Sequence, residues 1–155
     1  MEIIGLSLTA NVVSAFIGKQ ILSHAINDAS GTIYGSIGSI FNYNSKIDMV
    51  IQRLDVKEKI KTVNILIKDI EEYTEAVSSC LTSIHDIIIH IKEDLKLIDA
   101  RIKKHKTKYL ARWRKITCSK ELAGLETHSN ILDGRLKFLL QALEIAKYNK
   151  ELKKK

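Results

Sequence analysis

The sequence predicts an all-α protein, either a helical bundle or an elongated antiparallel coiled-coil hairpin, with an apolar Gly/Ser-rich helical hairpin towards its N-terminus. Three observations predict it. Proline is absent, so the strongest helix breaker is missing. Aromatic residues make up only 6% of the chain, too few for a typical β-sandwich core. Apolar residues recur at steps of four and three along most of its length, which is the period of one helical face. With 155 residues, 45% hydrophobic and 28% charged, the chain suits one domain with a real core and is too apolar for a disordered one. Residues 1–155 are therefore read as a single helical domain.

Residues 1–54 read as the apolar hairpin. Residues 3–18 carry no charge. Within them Ser7, Asn11, Ser14 and Gly18 share one helical face, and Ile3, Leu6, Val13 and Ile17 lie on another. A helix over 3–27 is expected, ending among the turn residues Asn27, Asp28, Ser30 and Gly31. The uncharged run falls short of the roughly 20 apolar residues of a spanning helix, and neither a secretory signal nor a lipidation motif is recognisable. A second stripe follows in Ile33, Ile37, Ile40, Ile47, Ile51 and Leu54, with Asn44 at its one missing place. Gly31, Gly35 and Gly38 run beside it. Each glycine in a helix costs about 1 kcal/mol, so all three are expected to allow a neighbouring helix to pack closely.

Asp55 and Glu58 have the spacing of a capping box and mark a new helix. From there Ile60, Val63, Ile67, Ile70, Val77, Leu81, Ile84, Ile88, Ile91, Leu95, Ile98 and Ile102 keep the four-three rhythm, with Thr74 the weak member. Two helices broken near Ser78, Ser79 and Cys80 would satisfy it. One long helix over 55–104, on the order of 70 Å, is preferred because no glycine interrupts the run. A basic connection over 105–117 leads to a C-terminal heptad helix over 118–149, built on Cys118, Leu122, Leu125, Leu132, Leu136, Leu139, Leu143 and Ala146. Ser129 fills the gap in that repeat. Gly124 and Gly134 weaken the helix, which could break near residues 128–130, and residues 150–155 form a Lys-rich tail.

Charge is unevenly spread. Residues 1–45 hold only Glu2, Lys19 and Asp28, so 24 of the 25 basic and 16 of the 18 acidic side chains follow. Residues 101–120 contain nine Lys or Arg and no acid. There Lys103, Lys104, Lys106, Lys108, Arg112, Arg114 and Lys115 are interleaved with Tyr109 and Trp113, a composition suited to anionic surfaces. Nucleic acid would also suit it, but no recognised reading motif accompanies the stretch, so nucleic acid is not the expected partner. Catalytic and metal-binding signatures are missing. His85 and His90 are five apart and do not share a face, His24 and Asp28 are spaced for a local pair, and the glycines lack a phosphate-loop context. Cys80 and Cys118 read as reduced thiols. No enzyme activity, cofactor, metal or small-molecule substrate is expected.

The opening run from Met1 through Ile3, Leu6, Ser7, Asn11, Val13 and Ser14 to Phe16 resembles the first helix of HeLo-like domains, the bundles at the front of fungal HET-S and related NLR-type proteins. The plant mildew-resistance coiled-coil domain and the mixed-lineage-kinase-like bundle are similar in plan. Residues 122–143, with Leu132, Arg135, Leu136, Leu139 and Leu140, resemble the last helix of such bundles. The resemblance implies a basic bundle that targets membranes and whose N-terminal helix inserts and disrupts them. The expected protein is cytoplasmic or peripheral at the inner face of a membrane, and homo-oligomeric. Its partner is an anionic membrane surface or another helix. The competing expectation is an elongated coiled-coil scaffold or adaptor, of the kind found in viral or cytoskeletal assemblies, with no membrane activity.

Overall fold

The computed structural model describes residues 2–154, with side chains described for 18–111 and 113–154. The all-α expectation holds. Helices α1 (Glu2–Ile40), α2 (Ser45–Leu54), α3 (Val56–Lys68), α4 (Glu75–Lys106) and α5 (Ser119–Lys153) form a bundle of four rods, because α2 and α3 follow one another along α5 with a break at Asp55. Around the bundle the order is α1, α4, α5 and then α2–α3.

Two pairs of touching rods run in the same direction: α2–α3 with α5, where Arg53 meets Glu126 and Lys59 meets Asp133, and α1 with α4. At one end of the bundle Lys19 Nζ donates to the carbonyl of Ile70, just before α4 begins. At the other, Ser39 Oγ donates to Asp99 near the end of α4, at 2.8 Å. α1 and α4 are therefore parallel neighbours, and residues 69–74 carry the chain diagonally across the bundle end. α5 returns antiparallel to α4, with Arg101 paired to Glu121 at one end and Arg135 donating to the carbonyl of Ser83 further along.

The expected long helix over 55–104 is thus two helices of opposite direction. The apolar rhythm survives the reversal, since Ile60, Val63, Ile67, Ile70, Val77, Leu81, Ile84, Ile88, Ile91, Leu95, Ile98 and Ile102 are all buried. The turn falls at 69–74 and not near Ser78. Thr74, the weak member of the repeat, is the N-cap of α4 and accepts the N–H of Val77. Asn44, the gap in the second stripe, caps α2 in the same way, accepting from Lys46 and Ile47. A short polar side chain at an apolar place marks a helix start in both cases. Asp55 does not form the expected capping box: it sits in the left-handed region at φ 52° and makes no side-chain cap bond, although α3 does begin at Val56.

α1 does not end at residue 27. It continues through Asn27, Asp28 and Gly31 to Ile40, because Ile26, Ala29, Ile33 and Ile40 supply a buried face that holds the helix together past its weak formers. The close-packing role of Gly31, Gly35 and Gly38 is not found in this bundle. All three are exposed, and a methyl group added to any of them would meet nothing within 4 Å. Small residues do line the α1 interface, but they are Ala29, Ser30 and Ser36, all buried. α5 runs without a break, and residues 150–153 belong to it.

Two predictions follow from this packing. Ile88→Ala removes a fully buried side chain from the centre of α4 and should cost about 2–5 kcal/mol in denaturant unfolding. Gly35→Ala should stabilise the protein by up to about 1 kcal/mol, because alanine favours the helix and has room. A loss of stability in the second variant would restore a contact at Gly35.

Candidate functional site

The end of the bundle where α1 and α4 finish gathers the basic connection. α4 ends at Lys106, Leu110 turns the chain in the left-handed region at φ 58°, and a short 3-10 turn over Ala111–Trp113 precedes the extended approach to α5. Leucine seldom adopts that region, so the turn needs outside support. His105 provides it. The ring is buried. Its Nε2–H donates to the carbonyl of Arg114 at 2.8 Å, and Nδ1 accepts from the hydroxyl of Tyr43 on the connection 41–44. One imidazole ring thus ties both loops of this end to the last turn of α4, and with both nitrogens engaged it is a structural tie. Lys106 lies over the Tyr43 ring, 5.1 Å from its centroid.

The basic side chains separate into two groups. Lys103 pairs with Asp99 at 3.0 Å, and Arg101 with Glu121, so both are partly neutralised within the bundle. Lys104, Lys106, Lys108, Arg114 and Lys115 have no carboxylate partner among the described residues. The side chain of Arg112 lies outside the described residues. Between the unpaired cations Trp113 is 83% exposed and Tyr109 80%, with Leu110 and Phe41 also exposed at this end. Lys106, Arg114 and Lys115 join Tyr43, Asn44 and His105 around an open cleft of about 420 Å³. Phe41, Tyr43 and Asn44 belong to this end through the fold alone, since nothing in the sequence spacing links residues 41–44 to residues 105–115.

Ile3, Leu6, Val13 and Ile17 belong to α1 before Gly18, in the part whose side chains lie outside the described residues. α1 meets the 69–74 connection at Gly18 and Lys19, so residues 2–17 lie towards the opposite end from the basic connection. The two ends are separated by the length of α4, 32 residues or about 48 Å. The far end is mixed in charge. Lys150 pairs with Glu71 and Glu72, and the hydrogen bond to Glu71 raises its pKa above the ordinary lysine value.

Other chemistry-bearing residues are dispersed. His24 and Asp28 form the local pair their spacing predicts, at 3.5 Å on an exposed face. His128 bridges to Asp94 at 2.5 Å and ties α5 to α4. Cys80 and Cys118 are free thiols whose pKa values are raised by burial, which keeps them protonated. Among the described residues no cluster of His, Cys, Asp or Glu has the geometry of a metal site, and no helix is long and apolar enough to cross a membrane.

Comparison with known proteins finds no matching family model and no matching solved structure. The chain is similar to an uncharacterized protein of Acanthamoeba polyphaga mimivirus, 24% identical in an alignment spanning 95% of this chain and 84% of that protein.

His105→Leu should release the basic connection. It leaves the Arg114 carbonyl and the Tyr43 hydroxyl without their partner, a cost of about 1–3 kcal/mol. Limited trypsin digestion should then cut within 106–115 faster than in the wild-type protein, while far-ultraviolet circular dichroism stays helical. Equal cleavage rates would show that the loop is held by other contacts.

Proposed function

We propose that this protein is a peripheral helical bundle that attaches to anionic membrane surfaces through its basic end and performs no catalysis. The observation that carries the reading is the coincidence, at one end of the bundle, of five cations without a carboxylate partner among the described residues with a highly exposed Trp113 and Tyr109. Cations near an anionic leaflet contribute about 1 kcal/mol each, and tryptophan and tyrosine favour the depth of the headgroups. A soluble surface has no need to expose a tryptophan to this extent, whereas a membrane interface accommodates its apolar body and its N–H together.

Attachment and bilayer disruption are separate acts in this reading. A flat membrane bound at the basic end lies about 48 Å from the start of α4, which is level with Gly18 and Lys19, so residues 2–17 of α1 are remote from that surface while α1 stays packed on α4. The HeLo-like mode of action therefore requires α1 to come away from α4, and it enters as a second step that attachment does not depend on.

Lys108→Glu, Arg114→Glu and Lys115→Glu together should weaken co-sedimentation with phosphatidylserine-containing vesicles by at least about 100-fold at low salt, from three contributions of about 1 kcal/mol each. The wild-type affinity should fall as salt rises. Leu6→Glu with Val13→Glu should leave attachment unchanged, whatever it does to leakage. Unchanged vesicle affinity in the triple variant at low salt would remove the basic end from the function.

A further inference from the structure

α5 is apolar on two faces. One face, with Leu125, Leu132 and Leu139, is buried in the bundle. On another, Ile131, Phe138, Ile145 and Leu152 recur at steps of seven residues and are all exposed, Phe138 at 65% and Ile145 at 61%. Nothing in the bundle covers this stripe. A repeat of seven is the signature of a helix that packs along a second helix, since scattered surface hydrophobics keep no such period. Phe138 and Ile145 also border a shallow groove of about 400 Å³ with Thr74, Ala76 and Cys80, whose small side chains leave room beside the stripe.

We infer that this face of α5 pairs antiparallel with the same face of α5 in a second copy of the chain. Self-pairing requires a patch complementary to itself under a two-fold rotation. The charges that flank the stripe meet this requirement. In the antiparallel register that places Ile131 across from Tyr148 and Phe138 across from Gln141, Lys137 of each copy comes beside Glu144 of the other, and the rotation makes that pair twice. A parallel arrangement would set Lys137 near Ala142 and Glu144 near Asn149, with no ion pair gained. Lys137 and Glu144 are exposed and have no ionic partner among the described residues. In the same antiparallel register Gly134 lies across from Ile145. Gly134 otherwise weakens α5 without reason, because a methyl group there would meet nothing within 4 Å, and the absence of a side chain gives the opposing isoleucine its space.

Sedimentation equilibrium of the full chain without lipid tests the pairing separately from membrane attachment. A dimer that dissociates on dilution is expected. Phe138→Glu with Ile145→Glu should be monomeric, and because both residues are exposed in the single chain its helical circular dichroism should stay close to wild type. Lys137→Glu should weaken the dimer about tenfold by turning two attractions into repulsions, and adding Glu144→Lys should restore it. A wild-type chain that stays monomeric at every concentration overturns the inference. So does a dimer that survives the Phe138 and Ile145 substitutions, and failure of the charge swap to restore pairing overturns the antiparallel register. Vesicle attachment by a monomeric wild-type protein would leave the proposed function standing and this inference refuted.

Discussion

Everything in the bundle is arranged around the apolar face of α4. It packs extensively against both α1 and α5, and its residues from Val77 to Ile102 on the four-three repeat are buried without exception. Isoleucine dominates that face, and its branched side chain has a restricted rotamer in a helix, so little side-chain entropy is lost on packing. The flanking helices are tied to it by polar contacts at their edges, Ser39 to Asp99, His128 to Asp94 and Arg135 to the Ser83 carbonyl. These contacts set the register along the rods, while the apolar face supplies the driving force.

Buried polar residues are few among the described residues, and Ser129 and Ser30 tie neighbouring helices together. Ser129 is buried at an apolar place of α5, and its hydroxyl accepts from Lys59 at 3.0 Å. Lys59 in turn reaches Asp133, so one lysine joins α3 to two successive turns of α5. Ser30 bonds to the Ile26 carbonyl and accepts from Asn64 of α3. Serine in place of leucine at such positions reduces apolar burial but fixes which turn faces which, a specificity that a uniform isoleucine core would lack.

Much of this was legible in the sequence because burial follows period. The four-three repeat identified nearly every core residue of α3 and α4, and the basic stretch was visible as composition. Direction was not legible. Ile67, Ile70 and Val77 keep the repeat across the 69–74 reversal, since Ile70 in the connection is itself buried and extends the apolar pattern past the end of the helix. Asn27, Asp28 and Gly31 misled in the opposite sense: they are poor helix formers, but tertiary burial of Ile26, Ala29 and Ile33 outweighs a deficit of about 1 kcal/mol per glycine. The function of the basic stretch depends on which of its cations are already paired. Asp99 four residues before Lys103 is readable as a pair from sequence, whereas Glu121 against Arg101 needs the fold.

The parallel placement of α1 and α4 bears on how the chain comes together. The tie from Arg101 to Glu121 closes a loop of 20 residues, whereas the tie from Tyr43 to His105 closes one of 62. Loop-closure entropy grows slowly, so the longer closure costs only about 1 kcal/mol more, but it also waits on the diagonal connection at 69–74. The α4–α5 hairpin is the pairing of α4 that the shorter loop closes, and α1 joins the same helix across the longer one.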